Sequence, residues 1–274
     1  GLQNQSQLFV RQGLTGTPRL LLDPNTWAKD GATALDDWEP SQNGKLLAYS
    51  VQDGGSDWRT IKVLDTVTGK VLKDEIKWAK FTGIAWVGNE GFLYSRFPEV
   101  KPGQEFQSLN KNQAVWYHKV GTPQAADKLV YATPEQPDLG HGAEVTHDGR
   151  WMVIVTAKGT DSKYEVHVAR LAKGKWGKPQ PLIKGLEHDW RLIEGMGDTL
   201  YFITNKGAPK LKVVKADLSR GAAQAQMVEL IPERAETLER AQIVGNRLIL
   251  NYRAEAEGVR PGDLIDRLLA VVAP

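Results

Sequence analysis

Residues 53–70 read DGGSDWRTIKVLDTVTGK and make one turn–strand–turn unit. Gly54 and Gly55 supply a turn. In the strand that follows, Thr60, Lys62 and Leu64 alternate with Ile61, Val63 and Asp65, the period-two signature of β structure. The Thr-Gly-Lys triplet at 68–70 closes it, so the whole stretch is a β-hairpin arm. Its individual feature is GSDW, which puts the acid Asp57 and the indole of Trp58 at a turn that needs neither.

Working outward, a tight turn followed by a strong apolar strand recurs. The copies are NGKLLAYSV (43–51), NEGFLYSRF (89–97), DGRWMVIVT (148–156), GDTLYFITN (197–205) and GNRLILNYR (245–253). Gly44, Gly91, Gly149, Gly197 and Gly245 are read as their turn glycines, at steps of 47, 58, 48 and 48 residues. The long step absorbs a Gln/Asn/Pro-rich loop at 98–113. A second hairpin follows each strong strand: TIKVLD with VLKDEIKW, AVWYHKV with KLVYAT, EVHVARL with PQPLIKG, KLKVVKADL with AQMVELI. Four strands per unit at this period is the pattern of β-propeller blades. An α-solenoid does not fit, because the strong segments are short, Gly-bounded and rich in Val, Tyr and Thr.

The expected fold is therefore all-β, a propeller of four-stranded antiparallel blades with five or six present. Residues 1–35 supply a partial first blade, with short strands at 7–11 and 19–23. Blades follow at 36–84, 85–140, 141–188 and 189–236, and 237–274 is a last, incomplete or composite blade. Residues 24–40, with the acidic cluster Asp36, Asp37 and Glu39, read as a long connection containing one helical turn. Two closures stay open. Strands at 241–253 could pair with 7–23, leaving the tail 258–274 over, or that tail could be a hairpin of its own blade in a larger, open ring. A start in mid-blade gives the chain the look of a fragment.

Composition narrows the function classes. Net charge is +2, which gives no reason to expect nucleic acid or an anionic membrane as partner. There is no cysteine, which removes disulfides, thiol catalysis and Cys-based metal sites, and leaves the compartment open between cytoplasm and periplasm. No apolar run approaches the roughly 18 residues of a membrane span, and the opening residues lack a signal-peptide pattern. Nine Trp and 27 Gly suit an architecture of short hairpins.

Chemistry-bearing motifs are sparse. A serine hydrolase of the α/β type needs a Gly-x-Ser-x-Gly elbow, and none is present; Ser56 of GGSDW lies in a hairpin turn. His118, His141, His147, His167 and His188 show no metal-ligand spacing and read as surface histidines. The acidic pairs Asp36/Asp37 and Asp74/Glu75 read as solvated turn charges rather than a glycosidase pair. Trp38, Trp58, Trp86, Trp151 and Trp190 read as blade packing rather than carbohydrate platforms. No catalytic residue, metal or cofactor is expected from these patterns.

Several longer strings are more specific. SVQDGGSDWRTIKVLDTVTGKVL, KFTGIAW, LYSRFPE, HKVGTPQAADKLVYA and LGHGAEVTHDGRWMVI occur in the order in which the propeller of the prolyl oligopeptidases has similar strings. The opening QNQSQLFVRQG and RLLLDPN resemble that family's first blade, so the resemblance covers about residues 1–255 and is to bacterial prolyl endopeptidases. It implies a seven-bladed propeller, without ring closure, that caps an α/β-hydrolase catalytic domain and admits only short peptides. The implied reaction is serine-type endopeptidase cleavage after proline in oligopeptides, with a Ser/Asp/His triad that this chain does not contain. By the same resemblance, Phe81 lines the substrate cleft and Asp57 pairs with a basic group of the hydrolase domain. Trp58 packs beneath the hairpin and positions it, and Thr160 and Gly140 fall at cleft-lining positions.

The chain departs from that family in having fewer blades, no hydrolase domain and a weak match from about residue 258. Two other readings stay open: a stand-alone propeller serving as a peptide or protein interaction module, and an inactive truncated or frameshifted product.

Overall fold

The structure is a computed structural model that describes residues 4–29, 31–101, 103, 109–245 and 247–253. The chain divides into two compact units, Gly1–Leu186 and Glu187–Pro274. In the first unit β1 (Leu8–Val10) and β2 (Arg19–Leu22) make a hairpin. Four antiparallel strands follow as a blade, β3 (Ala34–Pro40), β4 (Leu46–Gln52), β5 (Arg59–Asp65) and β6 (Val71–Ala79), and the single pair Ala79–Arg96 continues their sheet into the next blade. The next blade is β7 (Ala85–Val87), β8 (Gly91–Arg96), β9 (Ala114–Lys119) and β10 (Lys128–Tyr131). A third has β11 (Leu139–Val145), β12 (Trp151–Lys158), β13 (Tyr164–Ala172) and, past the two-residue β14 (Lys175–Trp176), β15 (Gln180–Ile183). The second unit holds a four-stranded sheet, β16 (Trp190–Met196), β17 (Thr199–Thr204), β18 (Lys212–Asp217) and β19 (Met227–Ile231). The hairpin β20 (Thr237–Val244) with β21 (Arg247–Arg253) completes its described part. The fold is an all-β propeller of four-stranded antiparallel blades, and all five repeated segments are strands. The expected tail at 258–274 lies outside the described residues.

Within the first unit the blades stack face to face. Ala48, Ile61, Val63 and Ile76 of the first full blade pack on Trp86, Phe92 and Tyr94 of the next. The opposite face of that next blade sets Leu93, Val115 and Tyr117 against Met152, Ile154 and Leu171. Leu47, Tyr49 and Leu64 meet Leu22 and Leu8 of the β1–β2 hairpin. Because β4 is covered on both faces, Leu47, Ala48, Tyr49 and Ser50 are all buried in succession. The repeats therefore read as unbroken apolar runs rather than strict alternation. Trp86, Trp151 and Trp190 are buried as packing residues, whereas Trp38 is exposed.

Two expectations about local structure need correction. Residues 34–40 are not a connection but β3, the strand paired with β4. Its Asp36, Asp37 and Glu39 are poor strand formers, and the register shifts between Leu35 and Trp38 to accommodate them. The irregularity turns Asp36 onto Arg59, Nε to Oδ2 at 2.8 Å, while Ser50 Oγ receives the Asp37 amide. Only Pro24–Thr26 of the expected connection is helical, as a single 3₁₀ turn. Second, Gly91 is not the turn glycine of its repeat. The left-handed residue there is Gly88, φ 65°, whereas Gly91 starts β8 where a Cβ would collide with the His118 carbonyl oxygen and the Tyr117 ring.

The expectation of surface histidines holds for His147, which is exposed, but fails for His118 and His141, which are buried. His118 is fully buried on β9, its Nδ1 2.7 Å from Asp127 Oδ1 and its Nε2 2.9 Å from Asp74 Oδ1. Asp74, read as a solvated turn charge, is buried in β6 and also accepts the Gly121 amide at 2.5 Å. Tyr94 Oη donates to the second Asp127 oxygen at 2.6 Å. One imidazole thus ties the outer strand of one blade to the next. Burial alone would lower the His118 pKa, but hydrogen bonds to Asp127 and Asp74, with their charges, raise it.

A raised value means that the protonated ring stabilises the fold fully below its unfolded-chain pKa of about 6.5. That contribution is lost as pH rises through the folded-state value. Urea midpoints of this unit are expected to fall from pH 6.5 towards 9, and a flat profile would refute the charged ring. His118→Gln should abolish the slope. By leaving two buried carboxylates without their shared partner, it should cost about 3–5 kcal/mol.

Candidate functional site

The turn between β4 and β5 is built by its own polar atoms. The Ser56 amide donates to the Asp53 carbonyl at 3.1 Å, and Ser56 Oγ accepts the Trp58 amide at 3.1 Å. The Ser56 carbonyl receives Gln52 Nε2 at 2.9 Å and an Arg59 guanidinium N–H at 3.1 Å. Ser56 is thereby a turn builder. The result is that Asp57 stands exposed while Trp58 folds back, edge-on to Trp78 (ring centroids 5.6 Å) and Phe97 (6.1 Å).

The second element is the link from β6 to β7. Lys80 turns its ammonium into the aromatic cluster, 5.1 Å from the Trp58 ring and 5.0 Å from the Phe81 ring, with Asp57 Oδ2 at 3.5 Å. Its side chain is only 11% exposed, whereas the Asp57 side chain is 61% exposed. Such a cation over aromatic faces gains about 0.5–2 kcal/mol, more as water is excluded. Phe81 is 61% exposed, an unusual exposure for so large an apolar side chain, and its ring meets Phe97 edge-on at 6.5 Å. Its backbone is left-handed, φ 53°, which a side-chain-bearing residue adopts only at a cost.

Gln113, at the mouth of β9, joins this link to the next blade. Its Nε2 donates to the Lys80 carbonyl at 2.8 Å and the Phe81 carbonyl at 3.2 Å, and its Oε1 accepts the His141 amide at 2.7 Å. Gly140 lies against it: a Cβ there would sit 3.1 Å from Gln113 Oε1. Of the residues singled out in the sequence, Asp57, Trp58 and Phe81 therefore share one cluster, and Gly140 reaches it through Gln113. Thr160 is exposed in the turn after β12, at the end of the hairpin where Gly140 pairs with Ala157, and makes none of the contacts that join the other four. Lys80, Phe97, Trp78 and Gln113 were not foreseen.

Two neighbouring features bound the site. An open groove of about 700 Å³ runs along the other flank of Trp58 and Trp78, past Asp53, Arg59, Lys62 and Lys77; Phe81 is not in its wall. On the blade side, His141 is buried between Thr156 Oγ1, 2.9 Å from Nδ1, and Thr133 Oγ1, 3.0 Å from Nε2. Burial first, then the nearby His167, pushes its pKa down to about 4, so it is a neutral structural ring. Among the described residues no group of three His, Asp or Glu side chains could hold a metal. What the cluster offers is recognition: an exposed aromatic ring beside a carboxylate and a shielded ammonium.

The left-handed backbone at Phe81 gives a direct test. Phe81→Gly should be more stable than Phe81→Ala by about 0.5–1 kcal/mol, the relieved strain less glycine's extra chain entropy. A Phe81→Gly variant less stable than Phe81→Ala by glycine's entropy cost alone, about 0.5–1 kcal/mol, would show that no strain resides there.

Known proteins share both the sequence and this architecture. Residues 1–258 match the family described as prolyl oligopeptidase, N-terminal beta-propeller domain. A prolyl endopeptidase of Elizabethkingia meningoseptica is 36% identical over 239 residues, 87% of this chain and 33% of its own length. The one from Elizabethkingia miricola is 33% identical over 93% of this chain and 36% of its own length. The chain thus spans about a third of the length of these curated relatives. A structure from a study of two prolyl endopeptidases and their inter-domain dynamics superposes with TM-score 0.84 at 50% identity, over 92% of this chain and 35% of that one. Prolyl oligopeptidase B from Galerina marginata, bound to a 25mer macrocyclization substrate, gives TM-score 0.80 at 30% identity, over 92% of this chain and 38% of its own. The chain belongs to the prolyl oligopeptidase family, as its N-terminal β-propeller domain.

Proposed function

We propose that this propeller gates substrate for a prolyl oligopeptidase-like serine peptidase that cleaves short peptides after proline. In this reading the Ser/Asp/His triad comes from an α/β-hydrolase catalytic domain outside the 274 residues described by the sequence. The observation that carries the reading is Phe81, held exposed in a strained backbone beside Asp57, with Lys80 and Trp58 beneath it. An apolar ring at a rim contributes binding energy only when another surface covers it. A proline-containing peptide and the docked catalytic domain are the two surfaces proposed to do so. Asp57, exposed at the same rim, is the proposed partner of a cationic side chain of the catalytic domain. An ion pair of that kind contributes about 0–1 kcal/mol and weakens with salt, which suits a contact that forms and breaks as the gate works.

The chain alone is expected not to release chromophore from a Gly-Pro chromogenic peptide above a buffer control. Turnover that a serine-directed inhibitor blocks would place the chemistry in this chain and overturn the reading. With a catalytic domain of the family added, Phe81→Ala should lower kcat/KM for a short proline peptide on the order of tenfold, about 1.4 kcal/mol of transition-state stabilisation. Asp57→Asn should reduce the salt dependence of the rate. Unchanged kcat/KM in Phe81→Ala would remove Phe81 from the substrate path.

A further inference from the structure

We propose that Gln113 is the positioning residue that presents Phe81 at the rim, an inference that rests on the gating role just given to Phe81. In an extended chain successive carbonyl groups point to opposite sides. Here the carbonyls of Lys80 and Phe81 converge on one donor group, the Gln113 amide nitrogen, at 2.8 and 3.2 Å. The left-handed turn at Phe81 belongs to this convergence: the chain reverses there so that its carbonyl comes to the same side as that of Lys80. The bonds to the amide offset the backbone cost of holding a phenylalanine in that conformation, and the ring is thrown outward.

The remaining atom of the amide sets where the donor sits. Gln113 Oε1 accepts the His141 N–H at 2.7 Å, so both N–H groups of the amide are left for the two carbonyls. His141 lies on β11, a rigid strand paired to β12 along its whole length. Gln113 is 4% exposed, and its bond to His141 is buried. Phe81 is thus referenced to the third blade through one side chain, Gln113, which lies 32 residues from Phe81 and 28 from His141. Gly140 fits the same scheme. A Cβ there would press on Gln113 Oε1 at 3.1 Å, while one on Gly142, on the same strand, would meet nothing within 4 Å. Gly140 serves the rim by leaving room for the amide.

The test compares the wild-type chain with Gln113→Leu, Gly140→Ala and Gly142→Ala by NMR. It reads the HN–Hα coupling of Phe81, the NOE between the Phe81 and Phe97 rings, and the thermal midpoint. Gln113→Leu is expected to move Phe81 out of the left-handed region and to lose the NOE. Gly140→Ala should shift both signals part of the way, and Gly142→Ala should leave them in place. A Phe81 that keeps its coupling and NOE in folded Gln113→Leu overturns the proposal, even if the midpoint drops. If Gln113→Leu does not fold, unchanged Phe81 signals in Gly140→Ala overturn it instead. In parallel, the Kd of a fluorescein-labelled hexapeptide containing Gly-Pro should rise on the order of tenfold in Gln113→Leu. An unchanged Kd with a displaced Phe81 would refute the role of Phe81 in peptide contact while supporting the placement by Gln113.

Discussion

The burial of sheets on both faces is the constraint from which the rest of this unit follows. A blade such as β3–β6 has one face against Trp86, Phe92 and Tyr94 and the other against Leu22 and Leu8. With both faces committed, a charged or polar group that enters the stack is costly unless it finds a partner inside it. His118 between Asp74 and Asp127 is the largest instance, and Ser95 Oγ donating to the His141 carbonyl at 2.6 Å is a smaller one. The constraint eases at the blade ends, where Phe81 and the Asp57 side chain stand exposed.

Those loops are not loose. The β4–β5 turn closes through Ser56 and Asp53, and the β6–β7 link is fixed by the Lys80 ammonium on one side and the Gln113 amide on the other. Rigid strands supply the reference points, and a few long polar side chains transfer that rigidity to the rim. This division of labour lets an exposed aromatic ring hold a defined position without being packed, the requirement for a surface that must meet something else.

Much of the fold was legible in the sequence because its signals are local. Turn glycines beside short apolar runs mark β4, β12, β17 and β21, and the hairpins after β4, β12 and β17 fall where the sequence pattern puts them. The failures share a cause. β3 was hidden because Asp36, Asp37 and Glu39 oppose strand propensity and are accommodated only by a register shift and by Arg59, twenty-odd residues away. His118 and Asp74 looked like surface residues because charge pairing across blades leaves no periodic trace. Asp57, Trp58 and Phe81 could be named through a family resemblance, yet the residues that hold them could not. Lys80 and Gln113 act through partners separated by 23 to 33 residues, and sequence spacing alone does not tell which loops converge.

Gly91 shows how the stack also guards its own assembly. At the start of β8 the neighbouring β9 passes so close that only a hydrogen fits on the Cα. A slip of β8 by one position would bring Glu90 or Phe92 to that crossing, each with a side chain for which there is no volume. The slip would also exchange the two faces of the strand, turning Phe92 and Tyr94 away from Trp86. A position that carries no side chain thus works as a key for strand alignment. Misaligned pairings of this blade are excluded by steric contact before they can compete through hydrophobic burial.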